Sequence, residues 1–282
     1  MASAHRSFLV LTALLTALAS SAATAEDRTF HVGLDGTFAP HAMPTMSGGV
    51  EGFNVDLANE IGKRLGAKME ITATQFSGLI PGLQAGTFDF LAAPTTITPE
   101  RAENLLFTEG YLDTDFQLVV KADGPQIDDL SELKGKTIAV NKGSAYDSWA
   151  RGLEEKIGWK VESYGTNSDA IQAVLTGRAA ANVAGNTVSA WAVKKNPALK
   201  LSYLHKTGLV WGMPFRKDSV DLRNEVERAI ECMKIDGTMK AMSEKWFGVT
   251  PEEGSTAITP IKGYGQPGFP GYVEDDHTPA CK

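Results

Sequence analysis

Gly52-Phe-Asn-Val-Asp-Leu-Ala-Asn-Glu-Ile-Gly-Lys-Arg-Leu-Gly-Ala67 is the stretch that decides the fold class. Leu57, Ile61 and Leu65 recur at i, i+4 and i+8 with Ala58 beside them, while Asp56, Glu60, Lys63 and Arg64 take the opposite side. That spacing predicts an amphipathic helix over 53–67, started by the break at Gly52. Just upstream, Phe30-His-Val-Gly-Leu34 alternates as a strand; just downstream, Lys68–Thr74 alternates again. A strand, a helix and a strand in immediate succession point to α/β architecture.

The same alternation runs on in both directions. Leu79, Ile80 and Leu83 mark a short helix and Phe88–Ala92 a buried strand; Thr98-Pro99-Glu100 is a helix start, with a hydroxyl cap, proline in the first turn and an acid beside it. After an apolar strand at Phe116–Val120 the pattern restarts. Strands are predicted at Thr137–Val140, Trp159–Glu162 and Ala180–Ala184, with helices at Asp128–Leu133, Ser144–Ile157, Ser168–Leu175 and Thr187–Lys194. Leu209–Arg216 reads as extended, and helices come after it at Asp221–Ile235 and Thr238–Trp246. Two βα series are thus joined by extended segments near 114–120 and 208–215. Residues 251–282 are rich in Pro and Gly and suit an extended tail rather than a packed element.

Composition narrows the function. A formal net charge of −7 disfavours nucleic acid and anionic membranes, which need clustered Lys and Arg. The N-terminus carries Arg6 and no acid, then the apolar run Phe8–Leu18, then Ala23-Thr24-Ala25. This is the pattern of a secretory signal peptide, 1–25, cleaved before Glu26. The two cysteines, Cys232 and Cys281, are then a disulfide candidate in an oxidising compartment, stapling the tail back. His31, His41, His205 and His277 are scattered without ligand spacing, so neither a metal nor a cofactor is expected.

Several stretches taken together resemble the family-3 extracellular solute-binding proteins, the polar amino-acid receptors of bacterial ABC importers. They are Gly33-Leu-Asp-Gly-Thr-Phe-Ala-Pro40, Gly52–Ala58, Phe76-Ser-Gly-Leu-Ile-Pro-Gly-Leu83, Thr96-Ile-Thr-Pro-Glu-Arg101, Leu133-Lys-Gly-Lys-Thr-Ile-Ala-Val140 and Asp236-Gly237 with Glu244-Lys-Trp-Phe-Gly248 after it. The resemblance implies a two-lobed periplasmic-binding-protein fold of the Venus-flytrap type with two hinge-crossing segments. One lobe would be 26–113 plus 213–250, the other 114–212, with the tail 251–282 outside both. A monomer is expected, binding a small carboxylate-bearing solute between the lobes and passing it to an ABC permease in the inner membrane.

The resemblance also assigns site residues. Arg101 matches the arginine that holds the solute carboxylate, a task its bidentate fork suits; a surface Arg pairing with Glu100 or Glu103 is the alternative. Thr96 matches a hydroxyl contact. Ser144 matches an anion contact at a helix start, a role compatible with simple capping. Phe38 and Phe76 match an aromatic floor and lid, and Asp35 an acid near the side-chain end of the pocket, with turn-capping as its alternative. Trp211 lies on the second crossing; Tyr146 and Trp149 fit core or surface of the second lobe equally well.

One position departs from the family. Where its amino-acid receptors place an Asp for the α-ammonium, the strand Asn182-Val-Ala-Gly-Asn-Thr-Val188 has Gly185. Asn182 or Asn186 could offer neutral acceptors instead. This favours a modified amino acid, an N-substituted compound or a carboxylate with no primary amine. The rival reading is a periplasmic lyase or dehydratase on the same fold, like cyclohexadienyl dehydratases, but no His, Glu or Lys stands at 185 as a general acid.

Overall fold

The structure is a computed structural model of the 282-residue chain and describes residues 28–279 and residue 281. The expected signal segment 1–25, with its cleavage before Glu26, lies outside the described residues.

Two sheets carry the architecture. The first is built in the order Ala67–Ala73, Arg28–Leu34, Phe90–Leu91, Pro214–Phe215, Leu106–Phe107. Its first three strands are parallel and the returning Pro214–Phe215 is antiparallel to both neighbours. The second runs Lys160–Tyr164, Thr137–Asn141, Ala181–Gly185, Leu112–Lys121, Leu199–Gly212, Thr95–Thr96. Its first three strands are parallel and the two long ones antiparallel. The parallel strands are joined by helices, as βα crossovers require.

The helix over Phe53–Leu65 forms as its spacing predicts. Leu57, Ala58 and Ile61 are fully buried, each large apolar side chain contributing about 1.5–3 kcal/mol. Gly52 before it has φ +147°, and a Cβ there would run into the carbonyl group of His41, so only glycine fits. The helix packs on Val220–Ile235 and Thr238–Phe247, where Trp246 Nε1 donates to Asp56 at 2.7 Å.

Besides the excursion through Thr95–Thr96, which leaves the first sheet and returns to it, the chain passes between the sheets twice. Residues 108–111 link Leu106–Phe107 to Leu112–Lys121, and Met213 links Leu199–Gly212 to Pro214–Phe215. The passages are hydrogen-bonded to each other: Thr108 N donates to Met213 O at 3.0 Å, Met213 N to Thr108 Oγ1 at 3.1 Å, and Tyr111 N to Trp211 O at 2.9 Å.

Three segments differ from the sequence expectation. The strand ending at Gly212 begins at Leu199, not Leu209. Over most of that length it is a sheet edge with register shifts at Leu201/Leu204 and His205/Leu209, which hides its alternation. The helix expected over Ser144–Ile157 ends at Gly152 and gives way to a looser turn, Glu154–Gly158. The segment after 250 has no helix among the described residues and one isolated bridge, Tyr264 to Val273, yet it is packed: Ala257 and Tyr264 are buried, and Cys281 is bonded to Cys232 with the Cα atoms 5.3 Å apart.

Candidate ligand cleft between the lobes

Arg101 is placed by its own helix start. Thr98 Oγ1 accepts from Arg101 N at 3.3 Å, and Pro99 occupies the first turn of Pro99–Asn104. From there the guanidinium reaches across the cleft. Nη1 donates to Thr96 O at 2.9 Å, Nη2 donates to Gly143 O of the facing lobe at 3.1 Å, and the cation lies 5.6 Å from the Phe76 ring centre. Burial lowers its pKa to about 10, against the opposing fields of Tyr146 and Glu100, so it stays charged at neutral pH. It pairs with no carboxylate among the described residues. A partly desolvated cation whose partners are two carbonyls and a ring has unmet demand for an anion.

The facing wall comes from the end of strand Thr137–Asn141. Gly143, at φ +76°, turns the chain into the helix Ala145–Gly152, capped by Ser144. The Ser144 hydroxyl is occupied: it accepts from Asp147 N at 3.1 Å and donates to Asn141 O at 2.6 Å. Asn141 Oδ1 is buried and has no hydrogen-bond partner among the described residues.

Between these walls lies a cavity of about 10 Å³, space for about one water in this closed arrangement. Phe38, Phe76, Pro94, Thr96 and Arg101 line one side, and Asn141, Ser144, Ala145 and Tyr146 the other. Phe38 and Tyr146 lie nearly parallel across it, their centroids 6.5 Å apart. Burial pushes the Tyr146 phenol above its ordinary range, opposed by Thr114 and the Arg101 charge, so it is a neutral hydroxyl. The lining therefore offers one cation, no acid, three aromatic rings and several neutral polar groups.

The lobes meet directly elsewhere. Asn141 Nδ2 donates to Asp35 Oδ2 at 3.0 Å, and His41 Nε2 lies 2.8 Å from Thr187 Oγ1. Asp35 does not line the cavity; its other oxygen accepts from Thr37 N at 2.9 Å and Thr37 Oγ1 at 2.7 Å, which is the turn-capping arrangement.

The sequence-derived residues thus divide. Arg101, Thr96, Ser144, Phe38 and Phe76 converge on one cavity. Trp211 is fully buried behind it, edge-on to Phe38 at 6.3 Å, and Asp35 ties the lobes together. Asn186 faces a different groove, beside Pro40, Trp191 and Phe247. Sequence reasoning does not bring Asn141, Tyr146 or His41 to the site. The first two flank Ser144 by three and two positions, a signal available once Ser144 is assigned; nothing local marks His41.

Gly185 has a packing reason. A Cβ there would fall 2.5 and 2.7 Å from two Trp211 ring carbons and 3.0 Å from the Tyr146 hydroxyl. The indole and phenol fill the space that any side chain at 185 would need.

Comparison with known proteins agrees with this architecture. The model of bacterial extracellular solute-binding proteins, family 3, matches residues 30–249. The chain belongs to that family. It is 34% identical over 250 residues to the probable amino-acid-binding protein YxeM of Bacillus subtilis (strain 168), covering 85% of this chain and 93% of the relative. An ancestral arginine-binding protein bound to arginine superposes with a TM-score of 0.75 at 36% identity, over 78% of this chain and 98% of that one. The ancestral amino-acid-binding protein AncCDT-1, a precursor of cyclohexadienyl dehydratase, superposes at 0.73 with 33% identity, over 78% and 95%. The family member described here is two-lobed, like these neighbours.

Proposed function

We propose that the protein is the periplasmic receptor of an ABC importer. It closes as a monomer on a small carboxylate and presents it to the membrane permease, with lobes 26–113 plus 213–250 and 114–212. The observation that carries this reading is Arg101, a half-buried cation with no acid partner among the described residues, facing a cavity closed by both lobes. Binding energy would select the closed arrangement over an open one.

The same lining supports a class of solute. A free α-amino acid brings an ammonium, and no carboxylate lines the cavity to meet it. Both Asp35 oxygens are engaged, and position 185 has no room for an acid. A carboxylate whose nitrogen is substituted, cyclic or absent suits these neutral walls best. The dehydratase reading has less support, since no His, Asp, Glu or Lys lines the cavity to serve as a general acid.

Mass spectrometry of the small molecules released on denaturing purified protein tests the proposal. A carboxylate without a primary amine supports both parts. An unmodified α-amino acid overturns the solute class and leaves the receptor. Conversion of the released compound on incubation with fresh protein overturns the receptor in favour of the enzyme.

A further inference from the structure

The family match ends at residue 249, and the segment beyond it is attached to two places: the first passage between the lobes and the helix Val220–Ile235. Ile261 N donates to Glu109 Oε2 at 2.7 Å, Gly110 N donates to Gln266 Oε1 at 3.0 Å, and Thr256 Oγ1 donates to Asp113. Lys234, buried on the helix Val220–Ile235, completes the clasp. Its Nζ lies 2.8 Å from Glu109 Oε1 and donates to Gly110 O at 2.7 Å and to Thr259 O at 3.3 Å. Both backbone groups of Gly110 are therefore held, one by the segment itself and one by a lysine that also holds the segment.

Gly110 is also enclosed. A Cβ on it would lie 2.6 Å from Val210 Cγ2, on the second passage strand, and 3.0 Å from Thr256 Cγ2. The tail and the second passage press on the first from two sides.

The rest of the segment is fastened to the first lobe in series. Gly265 N donates to both Glu227 oxygens, at 2.7 and 3.0 Å. The Tyr264 ring stacks on His277 at 4.3 Å between centroids, and His277 Nε2 lies 3.1 Å from both Glu231 oxygens. Cys281 ends the series on Cys232 of the same helix.

We propose that residues 251–279, with Cys281, form a hinge brace, which holds the passage 108–111 and the strand start at Asp113 in their closed-lobe conformation and so sets how readily the lobes part. Lobes that open by a hinge do so through φ/ψ changes in a few passage residues. A bond that fixes Gly110 must break or move along when those angles change, and this opposes opening. A patch that only covered the helix Val220–Ile235 would stabilise the first lobe without touching the opening equilibrium. The brace depends on lobe movement, not on which solute is bound.

The test is the distance between lobes in the full-length, solute-free protein. Spin labels on unnatural amino acids replace Lys63 and Lys160, exposed residues on opposite lobes, leaving the native disulfide intact. The variant pair is Thr256→Val with Gln266→Ala, and separately Cys232→Ser with Cys281→Ser. Two hydrogen bonds to the passage predict an opening equilibrium shifted by about tenfold or more in the first double variant. Amide exchange across 108–113 should quicken with it, while exchange in Thr137–Asn141 stays unchanged. The cysteine variant should shift opening in the same direction by less. Distance distributions identical to wild type in both double variants overturn the brace. So does a uniform rise in exchange over the whole first lobe with the distance unchanged, which is the signature of a purely stabilising tail.

Discussion

The imidazole of His41 accepts a hydrogen bond from Thr187 across the closed cleft, and the direction of that bond is set by Asn54 on the far side of the ring. Asn54 Nδ2 donates to Ala92 O at 2.6 Å and to the Tyr111 hydroxyl at 2.8 Å, so its Oδ1 must face His41 Nδ1 and accept from it at 2.8 Å. His41 therefore carries its proton on Nδ1, leaving Nε2 bare for the Thr187 hydroxyl at 2.8 Å. Tyr111 belongs to the first passage between lobes, so hinge, latch and cleft share one buried network. Thr187→Val keeps the shape and removes the donor. It should shift the lobes toward opening by about fivefold, from the loss of one hydrogen bond of roughly 1 kcal/mol, read as a longer interlobe distance in solution.

The latch predicts a pH dependence. Burial holds His41 down to about 4, against the raising effect of Asn54, whereas in the unfolded chain it titrates near 6.5. Between those values the unfolded chain binds a proton that the folded one does not. The stability attached to neutral His41 is thus complete above about pH 6.5 and lost as the pH falls toward 4, by about 3 kcal/mol in all. Urea midpoints at pH 7 and pH 4.5 should drop further for the wild type than for His41→Gln, which can keep both hydrogen bonds without titrating. Equal drops would dissociate His41 from the effect.

Arg101→Ala should weaken binding of the released carboxylate by about 100-fold or more, since losing a charge-assisted fork costs roughly 2–5 kcal/mol. Arg101→Lys keeps the charge and loses the fork, and should fall between. Titration calorimetry measures both, and unchanged affinity in the alanine variant would remove Arg101 from the site.

Restoring an acid at position 185 should fail. A Cβ at 2.5 Å from Trp211 requires the indole to move, and overpacking of this kind costs about 1–3 kcal/mol. Gly185→Asp should melt several degrees lower without gaining affinity for free α-amino acids. Gly185→Asp with Trp211→Ala makes room and is the variant in which such binding should emerge. Strong α-amino-acid binding by the single variant would show that the indole yields easily.

Cys232 and Cys281 should be recovered as one linked peptide pair from exported protein mapped without reductant. They are 49 residues apart in sequence; removing the bond should cost roughly 4 kcal/mol by the chain-entropy argument. Two separately alkylated thiols would contradict the assignment.

How much of this is readable from sequence depends on how local each signal is. Arg101 is readable because Thr98, Pro99 and the arginine form one helix start, and their order alone sets where the side chain emerges. The helix Phe53–Leu65 is readable from its own spacing. The reason for Gly185 is not, because the atoms that exclude a side chain belong to Trp211 and Tyr146, on other elements. His41 pairs with Thr187 across the cleft, and no periodicity announces such a meeting. The edge strand Leu199–Gly212 hides its first half because an edge tolerates Lys, Thr and Gly as readily as a loop does. The packing after residue 250 is invisible for a related reason: it rests on buried hydrogen bonds to Glu109, Glu227 and Lys234 more than on apolar periodicity.

Thr95 and Thr96, which bring the Arg101 loop to the cavity, pair as a strand with Gly212 and Trp211 on the second sheet. The nearest wall of the cavity is thus bonded to the pivot itself. A rigid rotation about that pivot moves each atom in proportion to its distance from the axis, like a door whose hinge-side edge barely travels. Thr96 would be almost stationary, while atoms of the facing lobe travel more the further they lie from the pivot. A solute could then stay seated against the fulcrum side after the outer rim has opened, and leave by the far edge without the floor of its seat ever being dismantled.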